Sequence, residues 1–275
     1  MRRARSISSI FIIAALALDS AGCADQGLSA DAGVAEAGGR EAGAREAGAD
    51  MTRADGLSPE ARCRPSAALV GRVSQARLLQ DLKALVALGE RRSYDGQMKA
   101  AAYLHGELAQ LSGFTVRKHL YSYQGKVYEN LEARLEGQDP AAKVIVAGAH
   151  YDSISEKPTD APGADDNASG TAAVLEAARA LAGCRPARGV RLVFFSNEEV
   201  GTVGSQAYVT FLKKELPPSK VEGFLNVDTI AYGPAGEDLD LATKPAHAGL
   251  VERMAVAVQA YTGLKVKKII SEHCG

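Results

Sequence analysis

The chain has no tryptophan, no C-x-x-C pair, no excess of positive charge and no apolar run long enough to cross a membrane. Each lack removes a class of function. With 32 Lys and Arg against 33 Asp and Glu, the formal net charge is -1. No basic face draws nucleic acid, and none is expected as a partner. Cys23, Cys63, Cys184 and Cys274 stand far apart, which argues against a cysteine zinc site. The apolar run Ile10–Leu18 falls well short of the roughly 20 residues that a spanning helix needs.

What is present begins with arginines at 2, 3 and 5 ahead of that run, followed by Ser20, Ala21, Gly22 and Cys23. This is the pattern of a secretory signal peptide over residues 1–23, and small residues before a cysteine also suggest lipidation of Cys23. Ser20 departs from the branched apolar residue usual there in lipoprotein signals. The expected location is periplasmic or extracellular, with Cys23 as a candidate lipid anchor. Residues 24–62 are alanine, glycine and acid, with the loose repeat "EAGGREAGAREAGAD". They offer no apolar stripe to bury, and a disordered tether is expected. Residues 63–275 form the folded part, expected to be a monomer. In an exported protein Cys63 and Cys184 can pair, the alternative being two unpaired buried thiols.

Within the folded part, "SQARLLQDLKALVAL" carries a leucine stripe at helical spacing, and "GQMKAAAYLHGELAQL" repeats the style before the stop at Ser112-Gly113. "FTVRKHLYSY" and "VYENLEARLEG" alternate as half-buried antiparallel strands do. "KVIVAGAH", "VRLVFFS" and "VEGFLNVD" are apolar nearly throughout, as central strands covered on both faces should be. Helices alternate with them, from about Ser169 to Leu181 and over "SQAYVTFLKK"; helix "GLVERMAVAVQAYT" and strand "LKVKKII" close the pattern. The expected fold class is α/β, a three-layer α/β/α sandwich around a mixed, mainly parallel sheet, with sites beyond the carboxyl ends of the strands.

The acids and one histidine collect at that edge. His150 and Asp152 follow the first central strand, Asp165 and Asp166 precede the next helix, Glu198 and Glu199 follow the second strand, and Asp228 ends the third. Taken alone, "GADDNASG" reads as helix-capping chemistry and "NEE" as a solvated loop. Together they suit two metal ions about 3.5–4 Å apart, which require a bridging carboxylate. Asp165 is the candidate bridge. Asp152, two residues after His150 in an extended segment, lies on the same face and can accept the second imidazole N–H. Of two adjacent glutamates, one can ligate metal while the other takes a proton from water. His105, His119 and His247 sit away from this edge and read as packing or solvated residues.

"AGAHYDS", "PGADDNASG", "FFSNEEVGTVGS" and "LNVDTIAY", in that order, resemble the motifs of the co-catalytic zinc peptidases, the family of bacterial leucyl aminopeptidases and glutamate carboxypeptidase. The resemblance runs from about Leu78 to the last residue. It implies two zinc ions, with His150 and Asp228 on one, Glu199 on the other, Asp165 bridging, Glu198 as general base and Asp152 orienting His150. It also implies a cis peptide bond between Asp165 and Asp166, and peptides or proteins as substrates, cut at the amino-terminal bond.

Two departures temper this. Family members carry a last histidine ligand in a segment like "I-H-T-x-x-D", preceded by a motif like "C-G-Y-x-C-S-D-H"; "SEHCG" matches only the approach to the second. His273 imitates that ligand but belongs to the preceding loop. The expectation is therefore a fold lacking its last elements, holding one zinc tightly. The alternatives are a non-catalytic binding domain of the kind seen in the transferrin receptor ectodomain, and a single-zinc enzyme cyclising amino-terminal glutamine.

Overall fold

In the computed structural model the described residues are 66–154, 163–231 and 239–272. The signal sequence, the tether, Cys23, Cys63 and His273 lie outside them. The first elements are helices α1 (Ser66–Val70), α2 (Gln75–Ala87) and α3 (Tyr94–Leu108). Ser74 and Ser93 cap α2 and α3, their hydroxyls accepting the N–H of Arg77 and Gly96.

Strands β1 (Phe114–Tyr123) and β2 (Lys126–Leu135) form the expected antiparallel hairpin. β3 (Val144–His150), α4 (Gly170–Leu181), β4 (Val190–Phe195), α5 (Val203–Glu215) and β5 (Val221–Asn226) then alternate. The five strands stand in the order β1-β2-β4-β3-β5. β3 pairs in parallel with both β4 and β5, and β2 joins β4 antiparallel. The period of two sorts side chains between the faces. Ile145, Ala147 and Ala149 of β3 and Leu192 and Phe194 of β4 enter the larger core with α2, α3 and α4; Val146, Val193 and Phe195 pack on Tyr208 and Phe211 of α5. Helices thus cover both faces, the three-layer α/β/α arrangement expected.

α4 is the central helix, buried along its whole length. Its face is largely alanine, which lets β3 and the neighbouring helices approach closely. Two of its polar side chains are held by charge. Glu176 accepts the Ser74 N–H at 2.6 Å and pairs with Arg77 at 2.6 Å. Arg179 pairs with Asp81 of α2 and with Glu107 of α3.

Three readings of the sequence are corrected. β2 is buried along most of its length and does not alternate, because β1 and β4 flank it and α3 lies over it. β5, expected to be covered on both faces, ends the five-stranded order with Phe224 48% exposed. A strand not foreseen, β6 (Leu239–Thr243), pairs in parallel with β7 (Val266–Ile270) as a separate two-stranded sheet under helix α6 (Ala248–Tyr261).

Candidate metal centre

Three strand ends deliver the site. β3 ends at His150, β4 runs into Ser196-Asn197-Glu198-Glu199, and β5 runs into Val227-Asp228. Close backbone approaches bring them together. Gly170, at the start of α4, sits where an added Cβ would lie 2.2 Å from the Val227 carbonyl oxygen. Gly204, at the start of α5, would bring a Cβ to 1.9 Å from the Ser196 carbonyl oxygen. Only glycine permits either contact.

His150 is buried, and Thr171 donates to its backbone carbonyl at 2.7 Å. Its Nδ1 stands 3.2 Å from the Asp152 carbonyl oxygen and 3.5 Å from Asp152 Oδ1. On the other side, Nε2 lies 3.1 Å from Asp166 Oδ1 and 3.5 Å from Asp228 Oδ1. One donor atom each from His150, Asp166 and Glu199 lie within 4.8 Å of one another.

The two adjacent acids are placed differently from the sequence reading. Asp166, not Asp165, faces His150. Asp165 turns away, its Oδ1 accepting the Ala231 N–H at 2.7 Å, and its backbone carbonyl accepts the Ser169 hydroxyl at 2.7 Å. The cause is the backbone of the turn, which leaves helical geometry at Asp166 and Asn167. The cis peptide bond is correspondingly Asp166–Asn167, one position later than expected. Asn167 does the capping: its Oδ1 accepts the Gly170 N–H at 2.9 Å while its Nδ2 donates to the Val227 carbonyl at 2.9 Å.

Asp152 keeps its expected place beside His150 Nδ1 and does a second job as well. Its closest tie to the imidazole is through its own carbonyl, whereas its carboxylate accepts the backbone N–H of Glu198 at 3.0 Å and of Glu199 at 3.1 Å. It fixes the glutamate pair. Glu199 Oε1 in turn accepts the Ile154 N–H at 3.0 Å.

Charge accumulates here. Burial opposes a charge on His150, yet Asp152 and Asp228 beside the ring carry its pKa up to about 10. Burial raises the carboxyls of Glu198, Glu199 and Asp166 above their ordinary values, and neighbouring carboxylates push the same way. Asp228 Oδ1 is a buried oxygen without a hydrogen-bond donor. An acceptor of this kind beside an imidazole and several carboxylates fits a divalent cation with nitrogen and oxygen ligands.

A layer of buried polar side chains, illegible in the sequence, holds the glutamate loop. Gln97 of α3 donates to Asn197 Oδ1 at 2.9 Å, and Asn197 Nδ2 donates to the Tyr121 hydroxyl at 2.8 Å. Asn130 of β2 accepts the Ser196 N–H at 3.0 Å and donates to the Gly204 carbonyl at 2.8 Å. Asn197 itself has φ 54, a left-handed conformation that asparagine tolerates better than most residues. The signal for such residues is spatial, since each partner comes from a distant element. His119 and His247 take no part: His119 packs against Phe211 and the Asn130 amide, and His247 is exposed.

An imidazole and carboxylates gathered at the carboxyl edge of parallel strands define an α/β sandwich with a metal-competent centre. The chain belongs to peptidase family M28, whose model matches residues 130–274. It is 37% identical over 137 residues, 49% of the chain, to leupeptin-inactivating enzyme 1 of Streptomyces exfoliatus, and spans 30% of that enzyme's length. Its fold is that of the Legionella pneumophila LapA aminopeptidase, with TM-score 0.62 and 22% identity over 73% of this chain and 56% of that one. The Tannerella forsythia glutaminyl cyclase also shares it, with TM-score 0.54 and 23% identity over 73% of this chain and 78% of that one.

Proposed function

We propose that this chain is the zinc-dependent peptidase domain of an exported aminopeptidase, hydrolysing amino-terminal peptide bonds at a two-zinc centre. One observation carries the reading: Asp228 Oδ1, buried without a hydrogen-bond partner, converges with Asp166 on His150, and the glutamate pair is clamped beside them. His150 and Asp228 would hold one ion and Glu199 the other, with Asp166 available to both. Zinc, when bound, polarises the scissile carbonyl and acidifies water.

The remaining work falls to the chain's own residues. Glu198, its backbone fixed by Asp152, is the general base. Its carboxylate takes the proton as the water oxygen bonds to the carbonyl carbon, then passes it to the departing amine nitrogen as the C–N bond breaks. The raised pKa of Glu198, set first by burial, suits a group that must both accept and release a proton.

Export is supported by the leader over residues 1–23 and by the disulfide at Cys184. Cys63, its expected partner, lies outside the described residues. Among the described residues no helix is long and apolar enough to cross a membrane. Cys23 is the candidate lipid anchor, and the domain acts as a monomer on peptide or protein substrates.

The decisive experiment measures zinc by elemental analysis after dialysis and hydrolysis of leucine p-nitroanilide by the same sample. Among the described residues, His150, Asp166 and Asp228 would give one ion three ligands, whereas Asp166 and Glu199 would give the other two. The expected result is about one tightly held zinc and slow hydrolysis, a count that follows from the three-ligand rule for catalytic zinc. A chain holding no zinc, or one that cyclises an amino-terminal glutamine peptide but leaves the anilide intact, overturns the reading.

A further inference from the structure

Arg91, between α2 and α3, is fully buried, and the chemistry above makes no use of it. Its side chain spans the two segments that carry facing metal ligands. Nε donates to the Tyr151 carbonyl at 2.7 Å, next to His150, and Nη2 donates to the Gly163 carbonyl at 2.9 Å, at the opening of the turn that carries Asp166. Nη1 reaches back to the Leu85 carbonyl of α2 at 3.2 Å, and the Arg91 backbone N–H donates to Ser153 Oγ at 3.2 Å. A planar fork with fixed donor directions can hold three carbonyls in a set relation, which a lysine ammonium cannot. Burial lowers its pKa to about 10, so it keeps its charge at neutral pH, helped by Asp152, Asp166 and Glu199.

We propose that Arg91 is a positioning residue of the metal centre: by tying the loop after β3 to the turn before α4, it sets the separation of His150 and Asp166. The proposal rests on the zinc reading of this site. It also places a determinant of the centre outside residues 130–274, where the family model matches.

The sign of one measurement separates positioning from simple electrostatics. A buried cation near the carboxylates repels zinc, so its removal should tighten binding if charge were its only influence. Loss of positioning weakens binding instead. The test is the zinc dissociation constant of the full chain, from competition with a chromophoric chelator, for wild type, Arg91→Met and Arg91→Lys. Both variants are expected to bind zinc about 10–100-fold more weakly, the range for residues that orient metal ligands. Arg179→Met serves as control: it removes another buried arginine, away from the centre, and should lower the melting temperature without moving zinc affinity. Unchanged or tighter zinc binding in Arg91→Met, or wild-type binding in Arg91→Lys, overturns the proposal. Should Arg91→Met fail to fold, Arg91→Lys decides, because it keeps the charge and the alkyl stem but cannot bond the Tyr151 and Gly163 carbonyls together. A several-fold weakening supports the tie, and none refutes it. A wild-type chain that binds no zinc brings down the site reading itself, a result distinct from an Arg91 variant that binds like wild type.

Discussion

The carboxylate of Asp152 accepts the backbone N–H of Glu198 at 3.0 Å, and its second oxygen accepts that of Glu199 at 3.1 Å. One buried aspartate therefore fixes the backbone of two residues with different work to do. Asparagine in its place keeps one acceptor oxygen and turns an amide N–H₂ toward the other backbone N–H. Asp152→Asn is expected to weaken zinc binding and any hydrolysis about 10–100-fold. Zinc competition and the anilide assay, run on one preparation, check it.

Glu198 and Glu199 are neighbours in sequence with separate roles in the proposed centre. Glutamine at 198 keeps the shape but cannot take a proton. Glu198→Gln should leave zinc content nearly unchanged while lowering hydrolysis about 10²–10⁴-fold. If the variant loses zinc and Glu199→Gln keeps it, the two roles are exchanged.

Asp165 and Asp166 provide the sharpest comparison. Asp166 Oδ1 lies 3.1 Å from His150 Nε2, whereas Asp165 Oδ1 is taken by the Ala231 N–H. A four-ligand protein zinc site binds with about 10–16 kcal/mol, so one ligand is worth a few kcal/mol, or roughly 10²–10³ in affinity. Asp166→Asn should lose about that much, and Asp165→Asn should retain zinc while losing some thermal stability. Equal losses in both would restore the bridging role to Asp165.

That pair also marks how far the sequence can be read. The strands of the large sheet and the helices between them are legible because the apolar runs and helical stripes repeat the same burial rule, one run per element. The edge at which the acids gather follows from the strand ends alone. Which of two adjacent acids faces His150 does not, since it depends on the non-helical turn at Asp166 and Asn167. The apolar run of β5 reads as a covered strand because such a run looks alike in the middle of a sheet and at the end of one. β6 leaves little local signal because "LDLAT" is short and alternates only briefly. Gln97, Tyr121, Asn130 and Arg91 find their partners in distant elements, where no local pattern reports them.

The buried cluster around Arg179 concerns stability alone. Its guanidinium pairs with Asp81, with Glu107 at 2.8 Å and with Glu176 at 3.3 Å, joining α2, α3 and α4. Arg179→Met leaves Asp81 and Glu176 buried with fewer partners. Breaking such a pair from one side typically costs about 3–5 kcal/mol. The expected result is a large fall in denaturation midpoint with zinc affinity retained, measured by urea unfolding of the metal-free chain. A midpoint within error of wild type would mean that Arg77 and Tyr103, which also bond Glu176 and Asp81, satisfy the acids without it.

The last prediction links packing to the centre through a glycine. Gly170 opens α4 against the end of β5, and a Cβ there would meet the Val227 carbonyl oxygen at 2.2 Å and Asn167 Oδ1 at 2.4 Å. Both atoms belong to the ties that hold the turn of Asp166 beside the segment of Asp228. Backbone atoms cannot yield as a flexible side chain can, so Gly170→Ala must push the start of α4 away from Val227. Overpacking of this kind costs about 1–3 kcal/mol. The displacement also separates Asp166 from Asp228, which stand 3.1 and 3.5 Å from the same imidazole nitrogen. Gly170→Ala is therefore expected to weaken zinc binding beyond what its loss of stability explains, whereas Gly106→Ala, inside helix α3 with nothing within 4 Å of the added Cβ, should raise stability by about 0.5–1 kcal/mol and leave zinc binding unchanged. Zinc competition at a temperature where both variants remain folded decides it. A Gly170→Ala chain with wild-type affinity would show that the two ligand segments are held together by something other than this contact.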